Sequence, residues 1–329
     1  MAHIYIYSPA GAVRDKAGFK RGIHRLESHG HQVEIDKNAL TSHERFAGDD
    51  DTRLQAITRA ASSGADLTLI TRGGYGLTRI LPQINYKQIA KSIDSGTRWM
   101  GYSDFSAFQA ALFTKMGMDS GAETISGASL VADFGVDTSK GEVDEIMEAC
   151  FSDLLLGQNE GAGWMLPKRT QTDRALCEQY AARPLSIKAS SKDSATLWGG
   201  NLSVLTSLIG TPYLPPIKGG VLWFEDTGES PFRIERMLTT WLHAGILAQQ
   251  KAIVLAQFSE SKLYPHDRGF NMASVVARLR AQLSTSKLKI PVLTGLPFGH
   301  VPTKVMLPFG SPVRLLCDGS DAMLLWDEI

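Results

Sequence analysis

Residues 99–104, Trp-Met-Gly-Tyr-Ser-Asp, join a short apolar run to a Gly-Xaa-Ser turn. Apolar residues then recur at the spacing of a helix: Phe105, Phe108, Leu112 and Met116. A serine at a sharp turn from strand to helix holds its hydroxyl out of the sheet, as in a nucleophile elbow. The usual Gly-Xaa-Ser-Xaa-Gly pattern matches only in its first half, because Phe105 stands at the second glycine. Ser103 as a simple helix cap therefore remains the alternative.

Short β-like runs alternate with helical segments on the N-terminal side of this stretch. The strands are expected at 3–7, 31–35, 67–70 and 99–100, and the helices at 19–26 and 54–61. This alternation predicts a doubly wound, mostly parallel sheet covered on both faces, in an α/β fold. Parallel strands would place the loops 8–11, 72–76 and 101–104 on one edge of that sheet, where α/β proteins form their sites.

The rest of the chain predicts a second, smaller α/β domain. Residues 1–150 form the N-terminal α/β domain, residues 151–195 are interpreted as a linker, and residues 196–329 form the C-terminal domain. The linker interpretation depends on scattered glycines and on a polar run at 168–174. The C-terminal strands are expected at 220–224, 252–255, 291–293, 313–316 and 323–326, and helices at 202–210, 234–247 and 272–283.

Composition excludes several classes of partner. The 329 residues carry 34 basic and 34 acidic side chains and no basic tract, so nucleic acid and anionic membrane surfaces are poor candidates. We expect no signal peptide and no membrane span. Three widely separated cysteines, Cys150, Cys177 and Cys317, fit neither a disulfide framework nor a zinc site. A cytoplasmic protein without metal or cofactor is the simplest expectation.

A serine nucleophile needs a base, usually histidine, and a carboxylate that orients the base. His300 follows Leu-Pro-Phe-Gly just past a predicted strand, where a loop can direct it into a cleft. His266 is a reserve candidate. Glu225 and Asp226 end the most apolar predicted strand, where a carboxylate is costly to bury unless it is paired. A structural histidine and an ordinary turn at the end of the strand remain open alternatives.

Acyl transfer also requires backbone N–H groups directed at the developing oxyanion. The residue after an elbow serine usually provides one of them, here Asp104. The loop 72–76, Arg-Gly-Gly-Tyr-Gly, could provide a second, because its glycines let the backbone approach a substrate. It lacks the Gly-Lys-Ser/Thr of a phosphate-binding loop. A tight surface turn is the alternative for this loop.

Taken in order, these motifs resemble the LD-carboxypeptidase family, which includes muramoyltetrapeptide carboxypeptidase and the microcin C immunity peptidases. The matching segments are the loop 72–76, the turn 101–104, Gly-Gly-Asn-Leu at 199–202, Phe-Glu-Asp at 224–226 and Gly-His at 299–300. Phe-Ala-Gly at 46–48, followed by Asp51 and Arg53, also resembles the family. The resemblance covers nearly the whole chain.

The resemblance implies a triad of Ser103 as nucleophile, His300 as general base and Glu225 as the carboxylate that orients the imidazole. The oxyanion donors would be the backbone N–H groups of Gly74 and Asp104. It further implies a site between the two domains, no metal or cofactor, and a cytoplasmic homodimer. The typical reaction is removal of the terminal D-alanine from an L,D-bonded murein tetrapeptide during peptidoglycan recycling, so a small peptide substrate is expected.

Two regions depart from the family pattern and leave the substrate open. Family members often carry His-Gly-Pro after the elbow helix, where this chain has Asp-Ser-Gly-Ala at 119–122, and the range 151–195 finds no match. One alternative is a microcin C-type immunity peptidase that cleaves a peptide-nucleotide or aminoacyl-nucleotide amide, with Trp164 and Trp198 as possible platforms for a purine. Another is a non-catalytic binding protein on the same scaffold.

Overall fold

The structure is a computed structural model that describes residues 1–116, 124–137, 139, 142–187, 195–285 and 289–326. The Asp-Ser-Gly-Ala segment at 119–122 lies outside these residues. The chain divides into two compact units. Unit 1 comprises Met1–Gln158, Thr211–Pro215 and Pro302–Phe309. Unit 2 comprises Asn159–Gly210, Pro216–Val301 and Gly310–Ile329.

Strands and helices alternate along most of the described chain. The strands are β1 (His3–Tyr7), β2 (Gln32–Ile35), β3 (Leu67–Ile70), β4 (Arg98–Gly101), β5 (Thr124–Ser126), β6 (Gly161–Met165), β7 (Leu185–Ile187), β8 (Ala195–Asn201), β9 (Val221–Thr227), β10 (Ala252–Ser259), β11 (Val292–Thr294), β12 (Leu307–Phe309), β13 (Pro312–Asp318) and β14 (Asp321–Trp326). The α-helices are α1 (Lys16–Ser28), α2 (Asp50–Ala60), α3 (Leu77–Ile80), α4 (Tyr86–Asp94), α5 (Phe105–Met116), α6 (Glu145–Leu155), α7 (Gln171–Ala182), α8 (Leu202–Thr206), α9 (Pro231–His243) and α10 (Met272–Ser284). Short 3₁₀ turns and a π-helical turn at Leu130–Phe134 complete the regular structure.

Unit 1 is built on a sheet with the strand order β12-β5-β4-β3-β1-β2. β1 to β5 pair in parallel, and β12 joins the edge in the antiparallel sense. The order of the parallel strands reverses between β1 and β3. Doubly wound sheets bind ligands beyond the carboxyl ends of their strands at this kind of reversal. The loops that follow β1, β3 and β4 lie at that edge of the sheet.

Aromatic packing fixes the turn from β4 into α5. Trp99, on β4, stacks on Phe108 of α5 with 5.4 Å between ring centroids. Phe108 in turn stacks on Phe105, the first residue of α5, at 4.9 Å. All three rings are buried, and burying one such side chain stabilises a fold by about 1.5–3 kcal/mol. Buried aromatic packing therefore anchors the chain both before Ser103, at Trp99, and after it, at Phe105.

Unit 2 contains a mixed sheet in the order β11-β10-β9-β8-β13-β14-β6, with β7 paired to β13. β8 to β11 are parallel, and the remaining pairs are antiparallel. β8 is buried along its whole length, as expected for a strand covered on both faces. Two α/β units, one with a mostly parallel sheet and one with a mixed sheet, confirm the predicted α/β fold class.

The range 151–195, interpreted above as a linker, carries regular structure in its described part. It holds the end of α6 and then β6, α7 and β7. β6 is an edge strand that pairs with β14, more than 150 residues further along the chain. Two of its five residues are glycines, which removes the side-chain alternation that marks a strand in the sequence. From Asn159 onward this range belongs to unit 2.

Two classes of feature are missing from the part of the chain that the structure covers. No helix there combines the length and the apolar character that a membrane span requires. No group of three or more His, Cys, Asp or Glu side chains there is arranged to hold a metal ion. Cys150, Cys177 and Cys317 are free thiols.

Candidate active site

Ser103 occupies the turn between β4 and α5 with a φ of +64°. Residues other than glycine, asparagine and aspartate seldom adopt this left-handed region, so the backbone stores strain at this serine. Strain at a serine on a strand-to-helix turn is the signature of a nucleophile elbow. Among the described residues, no hydrogen bond joins the Ser103 hydroxyl to the backbone of α5. The geometry therefore favours the elbow over the helix cap.

The glycine loop after β3 packs directly on this serine. A Cβ placed on Gly73 would lie 2.8 Å from the Cβ and 3.0 Å from the Oγ of Ser103, so only glycine fits without displacing the hydroxyl. The next residue, Gly74, has a φ of +90°, which glycine adopts without strain. Unit 1 thus brings the serine together with the loop that carries the candidate oxyanion donor Gly74.

Asp104, the other candidate donor, ties the elbow to the same loop through its side chain. Its buried carboxylate accepts a hydrogen bond from the Leu77 N–H at 2.8 Å. Burial raises the pKa of Asp104 to about 7, although the backbone hydrogen bond from Leu77 and the nearby Arg53 charge oppose the shift. Because Asp104 directly follows the elbow serine, its backbone N–H is still a candidate oxyanion donor.

Arg53 joins two of the loops at this edge of the sheet. Its fully buried guanidinium donates from Nη1 to the carbonyl of Gly76 at 2.8 Å and to that of Pro9 at 3.3 Å. Asp50 pairs with its Nη2. The loops after β1 and β3 are therefore cross-linked by one side chain. Sequence reasoning noted Arg53 only as part of a motif, and its role is visible only in the fold.

Lys304 is a second buried cation that sequence reasoning missed. Its Nζ donates to Asp133 Oδ1 at 2.6 Å and lies 4.2 Å from the centroid of the Tyr102 ring, next to the elbow serine. Asp133 also accepts the Ser129 N–H at 2.7 Å. A lysine is normally exposed, so nothing local in the sequence identifies this one as buried.

In unit 2, the structure brings together the predicted base and its carboxylate. His300 Nδ1 and Glu225 Oε2 lie 2.8 Å apart. The carboxylate is buried, whereas the His300 side chain is 23% exposed. When Nδ1–H donates to the carboxylate, Nε2 is the ring nitrogen that can accept a proton. This arrangement is the pairing of base and orienting group that acyl transfer needs.

Asn201 holds this carboxylate and its neighbour. Its Nδ2 donates to Glu225 Oε1 at 3.1 Å and to Asp226 Oδ1 at 3.0 Å. The pKa of Asp226 is raised, chiefly by burial and then by the Glu225 charge, while N–H groups that include that of Ser203 lower it. Sequence analysis recorded Asn201 in a matching motif but did not assign it this role.

Two glycines stand where a side chain would crowd the strand that carries Glu225 or the Glu225 side chain itself. Gly299 has a φ of +136°, and a Cβ there would lie 3.2 Å from Glu225 Oε2. Gly199, on β8, has a φ of +150°, and a Cβ there would lie 2.0 Å from the carbonyl oxygen of Trp223 on β9. The motifs Gly-His and Gly-Gly-Asn therefore place glycine where the backbone needs it.

Other candidates from the sequence are placed elsewhere. The reserve base His266 is 79% exposed and faces Asp267 at 3.9 Å, not Glu225. Trp164 and Trp198 are both buried, and their indole N–H groups donate to the Thr294 carbonyl and the Gln250 side chain. This burial leaves little ring surface on which a purine could stack, so it does not favour their suggested role as platforms.

Comparison with known proteins identifies the family of this chain. Residues 4–122 match the model of the LD-carboxypeptidase N-terminal domain, and residues 194–315 match that of the LD-carboxypeptidase C-terminal domain. The crystal structure of muramoyltetrapeptide carboxypeptidase from Oxalobacter formigenes is 33% identical, with a TM-score of 0.79, over 99% of this chain and 98% of that one.

Two further relatives extend the comparison. A probable murein peptide carboxypeptidase of Bacillus subtilis is 27% identical over 88% of this chain and 81% of its own length. The microcin C7 self-immunity protein MccF in complex with aspartyl sulfamoyl adenosine has a TM-score of 0.77 over 99% of this chain and 96% of that one. Its 20% identity shows a shared fold alone. Because the chain matches both domain models and is 33% identical to the Oxalobacter relative, it belongs to the LD-carboxypeptidase family of peptidases.

Proposed function

We propose that this chain is a serine carboxypeptidase that hydrolyses the L,D-peptide bond to the terminal D-alanine of murein tetrapeptides, as part of peptidoglycan recycling. Ser103 is the nucleophile, His300 the general base and Glu225 the group that orients the base. The observation that carries the proposal is the positive φ of Ser103 at the turn from β4 to α5, with Gly73 against its side chain.

The chemistry follows from the roles of these groups. Nε2 of His300 takes the proton as Ser103 Oγ bonds to the scissile carbonyl carbon, and the carbonyl oxygen becomes an oxyanion. The N–H groups of Asp104 and Gly74 donate to that oxyanion. His300 then protonates the departing amine of D-alanine, which leaves an acyl-enzyme. A water molecule, activated by the same imidazole, hydrolyses the ester and restores Ser103.

Glu225 orients His300 in both halves of this cycle. Its carboxylate keeps His300 in the productive tautomer and stabilises the imidazolium that forms in each half-reaction. The hydrogen bond from Asn201 fixes the orientation of the carboxylate. The mechanism requires the hydroxyl of Ser103 and the imidazole of His300 to meet during turnover.

The decisive test combines turnover with covalent labelling. Ser103→Ala should abolish release of D-alanine from a murein tetrapeptide, detected by mass spectrometry, and should abolish labelling by a fluorophosphonate. Ser28→Ala, an exposed serine in the same unit, is the control and should match the wild type. Turnover that survives Ser103→Ala would refute the proposed nucleophile. A wild-type protein that is neither labelled nor active would instead support a binding protein on this scaffold.

A second substrate class should be tested beside the first. MccF in the comparison carries aspartyl sulfamoyl adenosine, so an aminoacyl-sulfamoyl nucleotide is the natural competing substrate. The burial of Trp164 and Trp198 removes the feature that favoured a purine. We therefore expect faster hydrolysis of the murein tetrapeptide than of the nucleotide conjugate. The reverse ratio would assign the chain to the immunity class.

We also propose that the enzyme acts in the cytoplasm as a homodimer, as the family resemblance implies. Cell fractionation and sedimentation of the purified protein test the two statements separately. Recovery outside the cytoplasm would refute the first, and a monomeric mass at micromolar concentration would refute the second.

A further inference from the structure

A cleft of about 650 Å³ lies in unit 2, at the carboxyl ends of the parallel strands β10 and β11. Residues 255–258 of β10 and Thr294 of β11 form one side, and the first residues of α7 with residues 272–280 of α10 form the other. Ligand sites commonly occupy 300–1,000 Å³ and lie beyond the carboxyl ends of parallel strands. We call this feature the β10–β11 cleft.

The charged groups that line the cleft leave an excess of one positive charge. Its charged side chains are Arg169, Asp173 and Arg280. Arg280 is held in place, since its Nε donates to the Val292 carbonyl at 3.0 Å and its Nη1 to Asp173 at 2.5 Å. Its Nη2 finds no acceptor within the residues that the structure describes. Arg169 is exposed and forms no ion pair within that same part of the chain.

Thr294 also lines the cleft, but its hydroxyl has no surface open to it. The hydroxyl of Thr294 is buried and makes no hydrogen bond to any described residue. Thr294 stands two residues after Val292, whose carbonyl Arg280 binds. The Nη2 edge of Arg280, by contrast, is not one of the buried unpaired atoms among the described residues, so it can donate to an acceptor that enters the cleft. A carboxylate suits this edge, because it accepts several hydrogen bonds and pairs well with arginine.

The cleft shares a wall with the chain segment that leads to His300. The Gln257 side chain lines the cleft and donates to the carbonyls of Leu296 at 3.1 Å and Gly295 at 3.3 Å. The Gln257 N–H donates to the Phe298 carbonyl at 2.9 Å, two residues before His300. The cleft therefore adjoins the loop of the proposed base within unit 2.

Resting on the proposed function, we propose that the β10–β11 cleft binds the part of the peptide substrate remote from the scissile bond, with a carboxylate of that part paired to Arg280. Apolar walls from Met165, Leu255 and Val276 receive the aliphatic portion of the same segment. The cleft would thus select acidic peptides of sufficient length.

The test compares substrates as well as variants. Ala277→Leu fills the cleft from α10 without changing a charge, and Ala281→Leu makes the same change on an exposed part of that helix as a control. Arg280→Lys retains the charge beside Asp173 but removes the planar fork. The substrates are a murein tetrapeptide, the tetrapeptide with its remote carboxylates amidated, and a dipeptide that spans only the scissile bond.

We expect Ala277→Leu and Arg280→Lys to raise the KM for the tetrapeptide about tenfold or more, with kcat within about twofold, because the lost interaction is remote from the reacting bond. Neither change should alter kinetics on the dipeptide, and Ala281→Leu should match the wild type. Amidation should raise the wild-type KM by a similar factor and leave Arg280→Lys without further effect.

Two results would overturn the inference. Equal losses on the dipeptide and the tetrapeptide would show a general defect and not a remote subsite. An unchanged KM for the tetrapeptide in both cleft variants would show that the cleft is not used. If the wild type hydrolyses neither peptide, the proposed function fails and this inference fails with it, so the two failures are distinguishable.

Discussion

Replacing Asp104 by asparagine should remove part of the pH dependence of the free energy of unfolding. Burial raises the pKa of Asp104 from 3.8 to about 7 in the folded protein, so folding favours the neutral carboxyl group. Its contribution to stability is fully present below pH 3.8 and is lost as the pH rises through 7. At 1.36 kcal/mol per pKa unit, the loss is about 4 kcal/mol, of which roughly 3 falls between pH 5 and pH 8.

The assay is equilibrium urea unfolding at intervals between pH 5 and pH 8, followed by circular dichroism and tryptophan fluorescence. Asp104→Asn keeps an oxygen that can accept the Leu77 N–H but carries no charge. The unfolding free energy of the wild type should therefore decline relative to the variant as the pH rises. Asp94→Asn, at an exposed carboxylate in the same unit, is the control and should give a constant difference. A difference for Asp104→Asn that is also constant within about 1 kcal/mol would refute the reasoning.

Three further changes test the site. Gly73→Ala should lower kcat by about a hundredfold, because the new Cβ would lie 3.0 Å from the hydroxyl of Ser103 and a small displacement of a nucleophile is costly. An unchanged kcat in steady-state kinetics would contradict this expectation. Glu225→Gln should lower kcat by about 10⁴-fold, because His300 loses the partner that sets its tautomer, and a smaller than tenfold loss would argue against that role. Lys304→Met should lower the free energy of unfolding by about 3–5 kcal/mol, since it strands a buried carboxylate. Denaturation that shows a loss below 1 kcal/mol would contradict the last expectation.

Local pattern was sufficient to predict the fold class. The runs around β1, β9 and β10 are apolar over four or more residues and alternate with helical periodicity, and both signals are encoded within a short window. The range 151–195 shows where local pattern fails. β6 contains two glycines and pairs with a strand far along the chain, so its extended conformation depends on a partner that its own residues do not specify.

Local sequence pattern also predicted part of the nucleophile elbow. A glycine before Ser103 and an apolar helix after it predict a sharp turn, and the structure adds the left-handed backbone of the serine. The contact of Gly73 with the Ser103 side chain joins loops about 30 residues apart, and the structure alone shows it. No spacing rule predicts a contact of this kind, because it depends on how neighbouring strands are ordered in the sheet.

The sequence by itself determined which residue types could perform acyl transfer, and the order of motifs assigned them to Ser103, Glu225 and His300. Only the tertiary structure decided that Glu225 and His300, 75 residues apart, lie at hydrogen-bond distance, and that Lys304 is buried against Asp133, 171 residues away. The physical reason is that helix and strand periodicity reflect interactions over a few residues. Burial and charge pairing, in contrast, depend on which distant strands and loops the folded chain places side by side.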